Sequence, residues 1–81
     1  MIVNELGMHA RSAAKIAELA QNAAAGIWIQ RGEDRADAAS IIDILTLGCE
    51  KGTRIKLSIE DPADSETLNE IFELISSGFG E

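Results

Sequence analysis

From residue 10 to residue 24 the apolar positions Ala13, Ile16, Ala17, Ala20 and Ala24 recur at steps of three and four, with Lys15, Glu18, Gln21 and Asn22 between them. That spacing predicts an amphipathic helix whose small alanine face can lie close against a sheet. Gly26 is expected to end it. Ile27-Trp28-Ile29-Gln30 then alternates with a period of two, which predicts a strand with Ile27 and Ile29 on one face and Trp28 on the other. Arg31-Gly32-Glu33-Asp34 has the composition of a turn, and residues 35–38, too polar for a central strand, are expected to be a short hairpin partner.

Ser40 is a favoured N-cap, so a short helix of about two turns is predicted over residues 41–47, closed by Gly48. Its five large aliphatics, Ile41, Ile42, Ile44, Leu45 and Leu47, exceed what one face of so short a helix can bury. Part of Ile41, Ile42 and Leu45 is therefore expected to face solvent or a partner. After a turn at Lys51-Gly52, residues 53–60 alternate strictly, with Ile55, Leu57 and Ile59 inward and Arg54, Lys56, Ser58 and Glu60 outward. A strand with one polar face suits an antiparallel sheet with one side in water. Asp61-Pro62-Ala63-Asp64 reads as a turn, with Asp64 or Ser65 capping a last helix whose apolar stripe is Leu68, Ile71, Phe72 and Ile75. Ser76-Ser77-Gly78 closes that helix and leaves Phe79 to fold back. At the front, residues 1–4 are β-prone and lead through a turn at Glu5-Leu6-Gly7 to His9.

The order is strand, helix, strand, strand, helix, strand, helix, which predicts an α+β sandwich with helices on one face of an antiparallel sheet. With 81 residues and no linker or repeat, residues 1–81 are expected to form a single domain with a small core. Composition narrows the function. Fourteen acidic residues against seven basic ones give a formal charge of −7, which argues against nucleic acid as a partner and favours basic or apolar surfaces. The single cysteine, Cys49, excludes an internal disulfide, and its expected role is a small buried apolar side chain. Neither a signal peptide nor an apolar run near the ~20 residues of a membrane span is present, so a cytoplasmic protein without membrane insertion is expected.

The candidate chemistry lies in Gly7-Met8-His9-Ala10-Arg11, which sets the only histidine at the mouth of the first predicted helix. Unpaired N–H groups in a first helical turn, together with the aligned peptide dipoles, favour an anion there. Arg11 adds a permanent positive charge, and the only basic residues in the first 30 are His9, Arg11 and Lys15. A ring nitrogen beside an anion-binding turn can attack phosphorus while the turn receives the phosphoryl oxygens, with the N–H groups of Ala10 and Arg11 nearest. A histidine at a helix start can equally be a plain cap or surface residue. No metal cluster, nucleotide-binding glycine loop or catalytic triad is visible, so the expectation is no metal, no cofactor and a phosphoryl group supplied by another protein.

Asn4-Glu5-Leu6-Gly7-Met8-His9-Ala10-Arg11-Ser12-Ala13-Ala14 resembles the N-x-x-G-[LM]-H-A-R-P-A-A site of the HPr family, the histidine phosphocarriers of the bacterial phosphotransferase system. Ala39-Ser40-Ile41-Ile42-Asp43-Ile44-Leu45, followed by Leu47-Gly48 and Lys51-Gly52, resembles the family's second signature. The resemblance runs nearly end to end and implies an HPr-like open-faced sandwich, βαββαβα, with a four-stranded antiparallel sheet covered on one face by three helices. It implies a carrier rather than an enzyme. His9 would take the phosphoryl group, with Nδ1 favoured over the far ring nitrogen, from an enzyme I type, phosphoenolpyruvate-dependent donor. It would then pass the group to an enzyme IIA type acceptor, with Arg11 as charge partner. Ser40 falls on the family's regulatory serine, the target of a dedicated kinase and phosphorylase in some bacteria. The excess aliphatics Ile41, Ile42 and Leu45 are expected to form the docking patch for the donor and acceptor proteins, with core filling as the alternative for part of them, and the protein is expected to be a monomer. Met8 and the ending Ile75-Ser76-Ser77-Gly78-Phe79-Gly80-Glu81 are similar to the nitrogen-related NPr branch, which tilts the expectation from sugar transport toward nitrogen regulation.

Two departures stand out. Ser12 replaces the family's proline, which would pre-set the first turn; its hydroxyl is free to meet a phosphate or to cap, and a looser helix start is expected. The first strand is several residues shorter than usual, which is expected to remove edge hydrogen bonds. The alternative function is a non-carrier regulatory protein that binds its partner under control of Ser40, with His9 idle.

Overall fold

The computed structural model describes Ile2 and residues 7–80. α1 spans Ala10–Ala20, β1 Ile27–Arg31, β2 Asp34–Asp37, α2 Ile41–Thr46, β3 Lys56–Ile59 and α3 Ser65–Ser76, with short 3-10 turns at Pro62–Asp64 and Gly78–Gly80. The strands form one antiparallel sheet in the order β2-β1-β3. Among the described residues the sheet has three strands rather than the expected four. The predicted first strand falls on residues 1–4, of which only Ile2 is described. Ile2 is buried and ladder-like in its bonding, donating to the Thr53 carbonyl at 2.9 Å and accepting from the Gly52 N–H at 2.7 Å.

β1 lies between the other two and carries the sheet's fully buried large side chains, Ile27 and Ile29. Ile27 and Ile29 are buried beneath the helices, while Trp28 faces the other side. There the Trp28 ring stacks against the Arg35 guanidinium, 4.0 Å from its centroid, and its N–H donates to Glu60 at 3.0 Å. β2 is polar except for buried Ala36 and stands at the edge, joined to β1 across Gly32-Glu33 with Gly32 at φ +61°. The strand expected over residues 53–60 is narrower, because residues 52 and 53 bond to Ile2 instead of β1. Its alternation survives: Ile55, Leu57 and Ile59 pack half-buried against the core.

The core joins Ala13, Ile16 and Ala20 of α1 to Ile44 of α2, Ile71 and Ile75 of α3, the inner face of β1, Cys49 and Phe79. α1 packs against both α2 and α3. It stops at Ala20, four residues before the expected end. Asn22 and Ala23 donate three residues back, to the Leu19 and Ala20 carbonyls, which tightens and closes the last turn. The next N–H groups, of Ala24, Ala25 and Gly26, turn to the buried Asp64 carboxylate at 2.6, 3.0 and 3.4 Å. Asp64 thus precedes α3 as expected, but its side chain anchors the α1–β1 loop instead of capping α3. Three amide donors hold this carboxyl below the usual carboxylate range, Ala24 and Ala25 most strongly, against the opposing effect of burial. Phe72 also departs from expectation. The buried face of α3 is centred on Ile71 and Ile75, so Phe72, about 100° round from Ile71, is 59 % exposed beside a groove with Ile55, Leu57 and Leu68.

Candidate functional site

The segment entering α1 is held by close backbone packing. Gly7 is buried at φ +65°, and a Cβ there would lie 2.8 Å from both the Cys49 carbonyl oxygen and Glu50 Cα. No other residue fits that approach. One residue on, the Met8 N–H donates to the Cys49 carbonyl at 2.7 Å. His9 is thereby delivered to the N-cap of α1 in extended backbone, φ −132° and ψ −179°, half-buried at the surface. Its carbonyl accepts the first intrahelical bond, from Ala13 at 2.8 Å.

Ser12, at the third helical position, closes a capping box with it. The Ser12 hydroxyl accepts from the His9 N–H at 2.9 Å and lies 3.1 Å from the His9 carbonyl, while the Ser12 N–H faces the His9 side chain. Ser12 is fully buried, so its hydroxyl serves the cap and not a phosphate. The hydroxyl supplies by hydrogen bonding part of what the pyrrolidine ring would supply by geometry.

Ala10 and Arg11 are exposed in the first turn beside His9. Lys15, one turn further along, donates to the Phe79 carbonyl at 2.9 Å and ties down the chain end. Of the three early basic residues, then, His9 and Arg11 stay with the helix mouth and Lys15 has a structural partner. Among the described residues no group of three metal-ligating side chains occurs.

Ser40 caps α2 as expected, accepting from the Asp43 N–H at 3.2 Å. Ile44 and Leu47 are buried, whereas Ile41, Ile42 and Leu45 are 40 %, 77 % and 39 % exposed. A shallow hollow between α1 and α2 is lined by Ala14, Glu18, Gln21, Ser40, Ile41 and Ile42, and Gln21 bridges it to the Ala39 carbonyl at 3.2 Å. Ala14 follows Ala10 by four residues, about 6 Å along the helix axis. One helix therefore connects the histidine to the apolar patch. The sequence does not record the close approach that requires Gly7 or the bond from Lys15 to the Phe79 carbonyl, and of the two roles expected for the Ser12 hydroxyl the structure shows the cap. Only the last left a local signal, a serine three residues after an N-cap position.

The model of the family described as "PTS HPr component phosphorylation site" matches residues 1–77. The chain belongs to the HPr family. Its function is that of a histidine phosphocarrier of the phosphotransferase system. Phosphocarrier protein HPr of Cupriavidus necator is 34 % identical over 80 residues, covering 99 % of this chain and 90 % of that protein. Phosphocarrier protein NPr of Escherichia coli K12 is 40 % identical over 81 residues, with the same coverage. In three dimensions the chain is similar to HPr-C-His from Thermoanaerobacter tengcongensis, with a TM-score of 0.91 at 36 % identity, covering 99 % of this chain and 90 % of that one. The HPr fold class is thus shared, and no helix among the described residues is long and apolar enough to cross a membrane.

Proposed function

We propose that His9 is the residue on which this carrier bears its phosphoryl group, bonded to Nδ1. The observation that supports this is the placement of the chain's one histidine at the N-cap of α1, its side chain turned toward the first-turn amides. Nδ1, bonded directly to Cγ, is the ring nitrogen within capping reach of those amides. In the transfer the Nδ1 lone pair forms the N–P bond as the donor's bond to phosphorus breaks, and the donor atom keeps that electron pair. The proton of the neutral ring stays on Nε2. The Ala10 and Arg11 N–H groups receive the phosphoryl oxygens, and the Arg11 guanidinium offsets their charge.

The protein has no phosphate source of its own and acts in the cytoplasm as a monomer between an enzyme I type donor and an enzyme IIA type acceptor. Ile41, Ile42 and Leu45 form the docking patch, a cluster of exposed aliphatics joined to the histidine by α1. Ser40 stands at its edge, where a phosphate would suit the start of α2 but set about two negative charges against an apolar interface. Phosphoenolpyruvate with the donor enzyme should add one acid-labile, base-stable phosphoryl group to the parent protein and none to His9→Ala, whose melting curve should stay near the parent's. Full incorporation into His9→Ala would overturn the assignment.

A further inference from the structure

We propose that Ser12 is the positioning residue for the reactive imidazole, an inference that rests on His9 being the phosphoryl acceptor. Three contacts converge on one fully buried hydroxyl. Its lone pair accepts the His9 N–H at 2.9 Å, and its proton is directed to the His9 carbonyl at 3.1 Å, with the Met8 sulfur at 3.6 Å as a weaker alternative acceptor. One side chain thus grips the peptide groups on both sides of the His9 Cα and fixes the extended backbone from which the ring projects. The same residue's N–H faces the ring, and proline at this position would have neither the hydroxyl nor the N–H.

Together these contacts restrict His9 to orientations with Nδ1 at the mouth of α1, where the Ser12 N–H shares the lone pair until an incoming phosphorus takes its place. A nucleophile held near its attack geometry reacts faster than one that samples several rotamers. Ser12 is fully buried, whereas Ala10 and Arg11 beside it are exposed, so the phosphoryl oxygens fall to those amides and not to its hydroxyl. It sets the fraction of time the ring is poised, and has no part in binding the donor.

Potassium phosphoramidate, a small phosphoryl donor that needs no docking surface, gives the direct test. The Nδ1–P bond forms as the P–N bond of the reagent breaks and ammonia leaves with the electron pair and a proton. The initial rate is followed by phosphorus NMR for the parent, Ser12→Ala, Ser12→Thr and Asp64→Asn. The last variant loosens the fold at the far end of α1 and serves as a stability control. All assays run well below every melting transition. Ser12→Ala should react about five- to tenfold more slowly, the loss expected from releasing one hydrogen-bonded anchor. Ser12→Thr should recover most of the rate, and Asp64→Asn should match the parent. With enzyme I as donor, Ser12→Ala should lower the maximal rate and leave the half-saturating carrier concentration unchanged.

A Ser12→Ala rate equal to the parent's overturns the proposal, as does equal slowing of Ser12→Ala and Asp64→Asn. Failure of the parent itself to gain phosphate on His9 overturns the His9 assignment instead.

Discussion

Replacing Gly7 by alanine tests whether the approach of residue 7 to the backbone at residues 49–50 places the histidine. Two effects add. At φ +65° an L-residue incurs about 1–2 kcal/mol, offset by about 0.4–1 kcal/mol because alanine narrows the unfolded ensemble. The new Cβ would also stand 2.8 Å from the Cys49 oxygen and Glu50 Cα, well inside the 3.4–4 Å of ordinary contact. Both obstructing atoms are backbone and cannot rotate away, so a main-chain shift is required, at roughly 1–3 kcal/mol by analogy with overpacked cores. The expected loss is about 2–4 kcal/mol, or roughly 10–30 °C in Tm for a domain of this size. Gly32→Ala is the matched control: its φ is +61° and nothing lies within 4 Å of its Cβ position, so only the backbone effect remains, about 1 kcal/mol or less. Thermal melts by circular dichroism of the parent and both variants decide the matter. Gly7→Ala should also slow His9 phosphorylation at temperatures where it is still folded, because the shifted segment includes Met8. Equal Tm losses in the two variants would refute the claim that this approach clamps the loop.

Asp64→Asn should remove a stabilisation that is fully present above the unfolded carboxyl value of about 4 and is lost as pH falls through the lower folded value. The Tm gap between parent and variant should therefore be widest above about pH 5 and close in stronger acid; a gap independent of pH contradicts this. Ser40→Asp keeps an N-cap and should change stability by only a few tenths of a kcal/mol, while Ile42→Glu, at a site 77 % exposed, should stay within about 0.5 kcal/mol. Both should raise the half-saturating concentration for enzyme I, Ile42→Glu more, and unchanged kinetics in both would remove the patch from the docking surface. Cys49 is buried and its thiol is pushed up by burial, with Arg31 acting the other way, so Ellman's reagent at pH 8 should label it far more slowly than in the unfolded chain; labelling at the unfolded rate contradicts that burial.

The elements that could be read in advance were those whose evidence is local. Ile27 and Ile29 alternate within β1, Ser40 caps its own helix, and the excess of aliphatics in α2 foretold exposed Ile41, Ile42 and Leu45. What escaped depends on residues distant in the chain. α1 closes after Ala20 on bonds from Asn22 and Ala23, and Asp64, some forty positions later, takes the Ala24, Ala25 and Gly26 amides that a longer helix would have turned inward; no pattern within residues 10–24 records that competition. Phe72 matches the helical stripe in spacing, but the space beneath α3 is already filled by Ile71 and Ile75. At the site, the order Gly-Met-His-Ala-Arg pointed to the helix mouth. The clamp on Gly7 and the loss of Lys15 to the Phe79 carbonyl required the folded positions of Cys49, Glu50 and the chain end.

The central claim is that the phosphoryl group is held on Nδ1 of His9 at the start of α1. It is tested most directly by nitrogen and phosphorus NMR of the protein after phosphorylation by phosphoenolpyruvate and the donor enzyme, with the histidine ring labelled with nitrogen-15. The account predicts phosphorus coupling to Nδ1, a proton retained on Nε2, and downfield movement of the Ala10 and Arg11 amide protons as they take up the phosphoryl oxygens. Coupling to Nε2, or a phosphoryl signal with no coupling to the ring, would contradict it.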